Sequence, residues 1–361
     1  MSRKTRKLKN KLLVPFEWIG IALALCVIPW LSRRALFGLC DGLSRVMYVF
    51  DRRGKRRALR NLRIVRRHEP YICSEQIYGE VMFDPDCAPY DPTAAEERVI
   101  RRSYRNMARA VGYAFWTIRR ARERCAEAGE MDARGKAFLA ANGSAVTVSG
   151  HIGCWEILSQ LVLLAGHEVM SVAKDVGSDG MTRLMMRVRK SIGQEIVPAG
   201  GAFKPLMGGI RDGKSLGLLV DQSVPPNRGG VWVRFLGRPI PVSAAPAFFA
   251  AKGKVPIAVA WSRPLKDGRY RCETVDEITS EEARDIWSCT QRIATDLERI
   301  VRRHPSCWIL NYNYFSTMPT PKDLATLTKR VAEQDLVNGR GRSMIVIPVN
   351  HALLCNVKEN I

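Results

Sequence analysis

The sequence predicts an α/β fold: a mixed, largely parallel sheet flanked by helices, with an N-terminal hydrophobic membrane-anchoring helix. Three observations carry this expectation. Between residues 145 and 222, short β-branched runs alternate with single helix-length segments, the pattern of right-handed crossovers between parallel strands. Residues 12–31, LLVPFEWIGIALALCVIPWL, form an apolar stretch about as long as a bilayer core requires, collared by Arg3, Lys4, Arg6, Lys7, Lys9 and Lys11 before it and Arg33 and Arg34 after it. The chain also carries 57 Lys plus Arg against 35 Asp plus Glu, a formal net charge of +22, which implies a polyanionic partner.

In chain order, residues 1–34 form the basic N-terminus and anchor. Glu17, Pro15 and Pro29 weaken a simple spanning helix, and positive charge on both flanks gives no orientation, so a one-sided anchor fits as well as a span. Residues 35–128 form a helical, Arg-rich, membrane-proximal region. Within it, 35–50 keeps helical apolar spacing, and 51–67 (DRRGKRRALRNLRIVRR) is an amphipathic helix with Ala58, Leu59, Leu62 and Val65 on its apolar side. Its arginines could lie against lipid phosphates or simply face water. From 68 to 97 the charge inverts, with no Lys or Arg and eight acidic residues among prolines, an irregular excursion. Helical spacing returns over 94–128 through Val99, Ile100, Tyr104, Met107, Val111 and Phe115.

Residues 129–318 form the α/β catalytic region. Strands are expected at 145–149, 168–174, within QEIVPAG, and at 215–222, with helices at CWEILSQLVLLAG, MTRLMMRVRKSIG and FKPLMGGIRDG between them. Further strands are expected at 231–237, 255–264 and 269–278, with helix AAPAFFAAKG after the first, and a helix over 281–303 closes the region. The tail, 319–361, holds a basic helix-like piece and an apolar end that fits no continuing pattern. Ten cysteines are scattered without a C-x-x-C pair, which suggests reduced thiols in a cytosol-facing protein and neither a zinc ribbon nor a disulfide framework. Zinc-finger spacing, an RNP-like aromatic pattern and a basic zipper are all missing from the sequence, so an anionic membrane outranks nucleic acid as the partner.

The most informative stretch is AVTVSGHIGCWE, 145–156, where a β-branched run ends in glycine and presents His151 and, five residues on, Glu156. A histidine at a strand mouth can act as general base, and a carboxylate one turn into the next helix can reach back to fix its tautomer. This is a hydrolase triad without its nucleophile, which suits activation of a hydroxyl on the substrate, as in acyl transfer from a thioester. The same motif is compatible with a plain strand-to-helix turn in which His151 satisfies a backbone group. The N–H groups of Gly153 and Cys154 could meet an oxyanion at the helix start. Asp221 and Gln222 end a strand and could orient donor or acceptor, or serve the strand end itself. Arg189, Lys204, Arg234 and Arg238 are candidate phosphate ligands, Arg238 foremost because the LGRP turn puts it near strand ends.

The chain resembles the lysophospholipid acyltransferase-like superfamily, and within it the bacterial lipid A late acyltransferases. Five segments carry the likeness: ALRNL (58–62), ERVIRRSYRNMAR (97–109), GHIGCWE (150–156), LGLLVDQ (216–222) and VRFLGRPIPVSAAPAFFAAKGKVPI (233–257). The resemblance implies an enzyme at the inner membrane, its catalytic region facing the cytoplasm. It would transfer a fatty acyl chain from acyl carrier protein to a hydroxyl of a phosphorylated lipid A precursor, with His151 and Glu156 as catalytic dyad. It also makes a covalent role for Cys154 unfavoured. Related enzymes have an arginine shortly after the second strand, where Lys174 stands here. Members also tend to close with a basic tryptophan-rich segment, replaced here by CWILNYNYFST (307–317), which leaves another glycolipid, aminolipid or lysophospholipid open as acceptor. From a different class, a non-catalytic, membrane-anchored basic binding protein remains a rival. No metal or other cofactor is expected, since a thioester is already activated and His151, Cys154 and Glu156 are too compressed for a tetrahedral site.

Overall fold

The computed structural model describes residues 20, 24–66, 90–173, 186, 189–190 and 192–337. Seven strands form one sheet in the order β1-β9-β8-β2-β5-β3-β4: β1 Gly129–Met131, β2 Val146–Ser149, β3 Val169–Ala173, β4 Glu195–Pro198, β5 Ser215–Leu219, β8 Ile257–Pro264 and β9 Tyr270–Ile278. Neighbours are parallel except β8 and β9, which pair as an antiparallel hairpin. The largely parallel sheet thus stands as the alternation predicts. β2 lies at its centre, buried between β5 and β8, and its VTVS run suits a strand covered on both faces.

Among the described residues, ten helices surround the sheets: α1 Arg33–Phe50, α2 Arg52–Arg66, α3 Ala94–Trp116, α4 Ala121–Ala128, α5 Ala133–Ala141, α6 Trp155–Leu164, α7 Phe203–Arg211, α8 Ala245–Gly253, α9 Ile286–Arg303 and α10 Pro321–Val337. α2 is the predicted Arg-rich amphipathic helix, with Ala58, Leu59, Leu62 and Val65 all buried. α3 opens with a capping box, in which Thr93 accepts from the Glu96 N–H while the Glu96 carboxylate accepts from the Thr93 N–H. The helical stretch over 94–128 divides in two, because Arg120 adopts a left-handed φ of 58°.

Three elements were not legible. β1 and α5 precede the first predicted strand, where three strand residues and one short helix are too brief for a periodic signal. β7, Arg238–Ser243, pairs with β6, Gly230–Phe235, in a separate antiparallel hairpin. Pro239 and Pro241 disguise β7 as a loop, but a strand paired on one side only tolerates them. The main core spans Leu62 and Tyr104 of α2 and α3, Val148 and Val259 of the sheet, and Leu297 and Trp308 beyond it. The Arg-rich helical region and the sheet therefore share one core. α10, the helical piece expected in the tail, packs Leu327 and Val331 on Trp287.

Most of the expected anchor, residues 12–19 and 21–23, falls outside the described residues, as do 67–89 and 338–361. Among the described residues no helix is long and apolar enough to cross a membrane.

Candidate active site

β2 ends at Ser149, register-paired with Leu219 at the end of β5. Two residues further along each parallel strand stand His151 and Asp221, so pairing brings together residues separated by 70 positions. The Nδ1 of His151 lies 2.7 Å from Asp221 Oδ1, and the His151 backbone N–H donates to Asp221 Oδ2 at 2.9 Å. Gly150 makes this approach possible, since a Cβ there would lie 3.1 Å from the Asp221 side chain.

Asp221 is buried and accepts a third bond, from Trp308 Nε1 at 3.0 Å. Burial alone would push its carboxyl up, but the His151 ring, the His151 N–H and the Trp308 N–H outweigh it and hold the pKa below the ordinary carboxylate value. A carboxylate facing Nδ1 keeps the proton on that nitrogen and leaves Nε2 as the basic one. No serine or cysteine among the described residues hydrogen-bonds the ring. Cys154, the nearest thiol in sequence, is fully buried, and burial drives its pKa well above the usual thiol value, so it is no ready nucleophile.

Glu156 departs from the sequence expectation. It lies in the first turn of α6, but its carboxylate is taken by Arg189, at 2.7 Å (Nη2) and 3.2 Å (Nε), and by Trp155 Nε1 at 3.1 Å. The partner of the His151 ring is Asp221. Glu156 connects to the histidine only through Trp155, whose ring sits 5.2 Å from the imidazole. The Arg189–Glu156 pair is largely buried, and the attraction to Glu156 overcomes the opposing effect of burial to raise the guanidinium pKa.

The expected oxyanion donors are also engaged elsewhere. Gly153 turns the chain with φ 67°, a conformation that excludes a side chain because a Cβ would lie 1.8 Å from the Ser262 carbonyl oxygen. In this turn the Gly153 N–H donates to Cys307 O at 2.8 Å and the Cys154 N–H to Ser262 Oγ at 2.7 Å. The N–H groups of His151 and Ile152 are used as well, by Asp221 and Gly150 O. The turn's backbone is spent on holding its own shape, a local requirement of buried N–H groups that no motif reveals.

Of the other candidates, Gln222 follows Asp221 and is half-buried. Arg238 lies at the start of β7, opposite Phe235 at the C-terminal end of β6, so the turn puts it at strand ends, but of the separate hairpin and not of the main sheet. It is only 4% exposed, which leaves little of it open to a phosphate. Arg234 lies on β6, where its backbone N–H and C=O are both bonded by the Gln291 side chain of α9. Lys204 is exposed in the first turn of α7, which begins beyond edge strand β4, at the same end of the sheet as His151 but two strands from β5. Lys174 lies outside the described residues.

Trp308, unassigned from sequence, is held by the helices in front of the sheet. Its carbonyl accepts from Ser103 Oγ of α3 at 2.6 Å, and Asn61 of α2 donates to the carbonyls of Leu310 and Tyr312 at 2.8 and 2.7 Å. Its ring stacks on Tyr314 with centroids 4.0 Å apart and meets Phe235 edge-on. Trp308→Phe would keep the aromatic contacts and lose the N–H donated to Asp221. With one donor fewer, the Asp221 carboxylate would hold the imidazolium more strongly, and the acid limb of the kcat/KM–pH profile, where the base is protonated, should move to higher pH. A lowered melting temperature with an unmoved limb would assign Trp308 to packing alone.

Beside Asp221 lies a narrow apolar cavity of about 10 Å³, walled by Phe235 and Val242 of the hairpin, Pro246 of α8, and Ile293, Ala294 and Leu297 of α9. A part-exposed histidine on a buried carboxylate, a ready ion pair and a narrow apolar cavity thus converge at the C-terminal end of the central strand, where sites of open parallel sheets form.

The family model described as bacterial lipid A biosynthesis acyltransferase matches residues 86–317, well over half of the chain. The chain belongs to that family. As a lipid A biosynthesis acyltransferase it is an enzyme, and the matched region contains His151, Asp221 and Trp308 as well as four of the five segments that carry the resemblance. ALRNL, on α2, lies before the match begins, although Asn61 within it helps to hold the Trp308 loop. A search of curated proteins returned no match.

Proposed function

We propose that this acyltransferase moves a fatty acyl chain from the thioester of an acyl carrier protein to a hydroxyl of a phosphorylated lipid A precursor, at the cytoplasmic face of the inner membrane. The observation that carries the proposal is the 2.7 Å contact between His151 Nδ1 and Asp221, with no serine or cysteine among the described residues bonded to the ring. In this mechanism His151 Nε2 takes the proton from the acceptor hydroxyl as the oxygen attacks the thioester carbonyl, and Asp221 stabilises the imidazolium that forms. Collapse of the tetrahedral intermediate expels the thiolate, which recovers a proton from His151. Because the turn's own N–H groups are committed, we assign the developing oxyanion to Arg189, held in place by Glu156. Charge-assisted donors of this kind are the strong ones.

We assign the acyl chain to the apolar walls beside Asp221, whose narrow cavity would have to widen to admit it. Its wall at Ala294 is small and buried, so Ala294→Leu should shift the product to shorter acyl chains, at a stability cost of about 1–3 kcal/mol for overpacking. Mass spectrometry of products formed from a mixture of acyl donors reads this directly. The cationic surface suits an acidic carrier protein, and the donor KM should rise with ionic strength if that attraction guides encounter.

The decisive experiment incubates purified protein with acyl carrier protein thioester and a lipid A precursor and identifies the acylated product. No acylation of that acceptor, alongside acylation of another glycolipid, would move the acceptor assignment. The Asn-rich 307–317 segment, in place of a basic one, is the feature that favours such a second acceptor. Hydrolysis of the donor without acylation of any lipid would replace the transferase reading with a thioesterase.

A further inference from the structure

We infer that α1 lies flat in a lipid leaflet, with the face formed by Leu39, Leu43, Val46, Met47 and Phe50 inserted among acyl chains. α1 has two apolar stripes. Leu36, Cys40, Ser44 and Tyr48, spaced by four, are buried and pack toward α3, the close fit marked by a Cβ at Gly112 that would lie 2.4 Å from Cys40 Sγ. Beside it, about a quarter turn round, the helix offers water a continuous second stripe: Leu43 is 49% exposed, Val46 55% and Phe50 78%, flanked by exposed Leu39, Met47 and Val49. An ordinary surface helix carries polar residues there. Just upstream, Trp30 is 67% exposed, with the Arg119 guanidinium 3.8 Å over its ring.

The charges around the stripe select the occupant. The single acid of α1, Asp41, is bound by Arg109 at 2.7 Å in a two-bonded pair. Arg34 and Arg45 are exposed on the opposite side of α1, while Arg52 and Arg53, which follow Phe50 at the start of α2, are exposed at the end of the stripe. Anionic headgroups would neutralise Arg52 and Arg53, and the chain's net charge of +22 opposes pairing with a second copy. Trp and Arg beside an apolar stripe are also the residue types that settle at the headgroup level. Because one side of α1 is buried against α3, the helix cannot be surrounded by lipid, and it lies along the surface.

This inference rests on the proposal that the enzyme works at a membrane, and its test needs no turnover, so it fails independently of the acyl-transfer reading. The photoreactive residue p-benzoyl-phenylalanine is placed singly at Leu43, Val46 or Phe50 in the full chain, which is then bound to phosphatidylethanolamine–phosphatidylglycerol vesicles and irradiated. Glu281, 68% exposed, is the control. The turn of the β8–β9 hairpin meets α1, since a Cβ at Gly268 would lie 2.9 Å from the Phe37 ring, and β9 runs from there for nine residues, about 30 Å, toward Glu281. Phospholipid adducts at the three α1 positions, about tenfold above the control, are expected for a face inserted in the leaflet. Adducts to residues 1–23 of the same chain, adducts to a second copy, or lipid yields equal to those at position 281 would each overturn the inference.

Discussion

Replacing His151 by alanine should lower acyl transfer by about a thousandfold, the loss expected when the group that takes the acceptor proton is removed. Folding should change little. The imidazole is partly exposed at a strand end, and the elements around it are held by other contacts: the Gly153 N–H on Cys307, the Cys154 N–H on Ser262 and the β2–β5 ladder. The loss should appear in kcat with little change in KM for either substrate, because the ring acts on a proton in flight more than on the resting substrate. Near-normal turnover of a variant with an unchanged melting temperature would remove the general base from the mechanism and leave the site to bind without reacting.

Asp221→Asn should be nearly as damaging, again by about a thousandfold in kcat, and for a different reason. The amide nearly preserves the shape of the buried carboxylate but not its charge. It cannot stabilise an imidazolium, and if its NH₂ faces Nδ1 the ring settles in the tautomer whose Nε2 bears the proton and cannot act as a base. Asp221 also accepts from two N–H groups at Oδ2, so the amide oxygen should take that side and leave the NH₂ toward the imidazole. Glu156→Gln provides the contrast. It weakens the pair with Arg189 without touching Nδ1, so it should affect how the oxyanion is met while leaving the pH dependence of proton transfer in place. If Asp221→Asn were mild and Glu156→Gln abolished the histidine's role as base, the His151–Glu156 dyad expected from the motif would be restored.

The elements of the catalytic region were legible because each carries its own signal. β-branched runs at 146–149 and 215–219 report strands, 3.6-residue spacing reports α6, α9 and the Arg-rich α2, and glycines at 150 and 153 report a sharp turn between strand and helix. His151 stands out in that turn without any knowledge of its neighbours. What failed were β1 and α5, too short for a period to repeat, and β7, whose prolines speak against a strand in general but not against one with an unpaired edge.

By itself, the sequence determined that this is an α/β acyltransferase with a histidine at a strand mouth and a cationic, partly apolar N-terminal region. Composition, periodicity and short motifs are properties of neighbouring residues, and the family likeness rests on their order. Only the tertiary structure decided which carboxylate serves the histidine. Glu156 is five positions away and Asp221 is 70, yet the β2–β5 register sets Asp221 against Nδ1, while the turn at Gly153 carries Glu156 to Arg189. Sheet order is a long-range choice made by burial and pairing over the whole chain, and no local pattern encodes it. The same cause explains Trp308 and the occupied N–H groups of the turn. Each depends on a segment far along the chain folding back against β2, and there a buried polar group takes the partner that arrives.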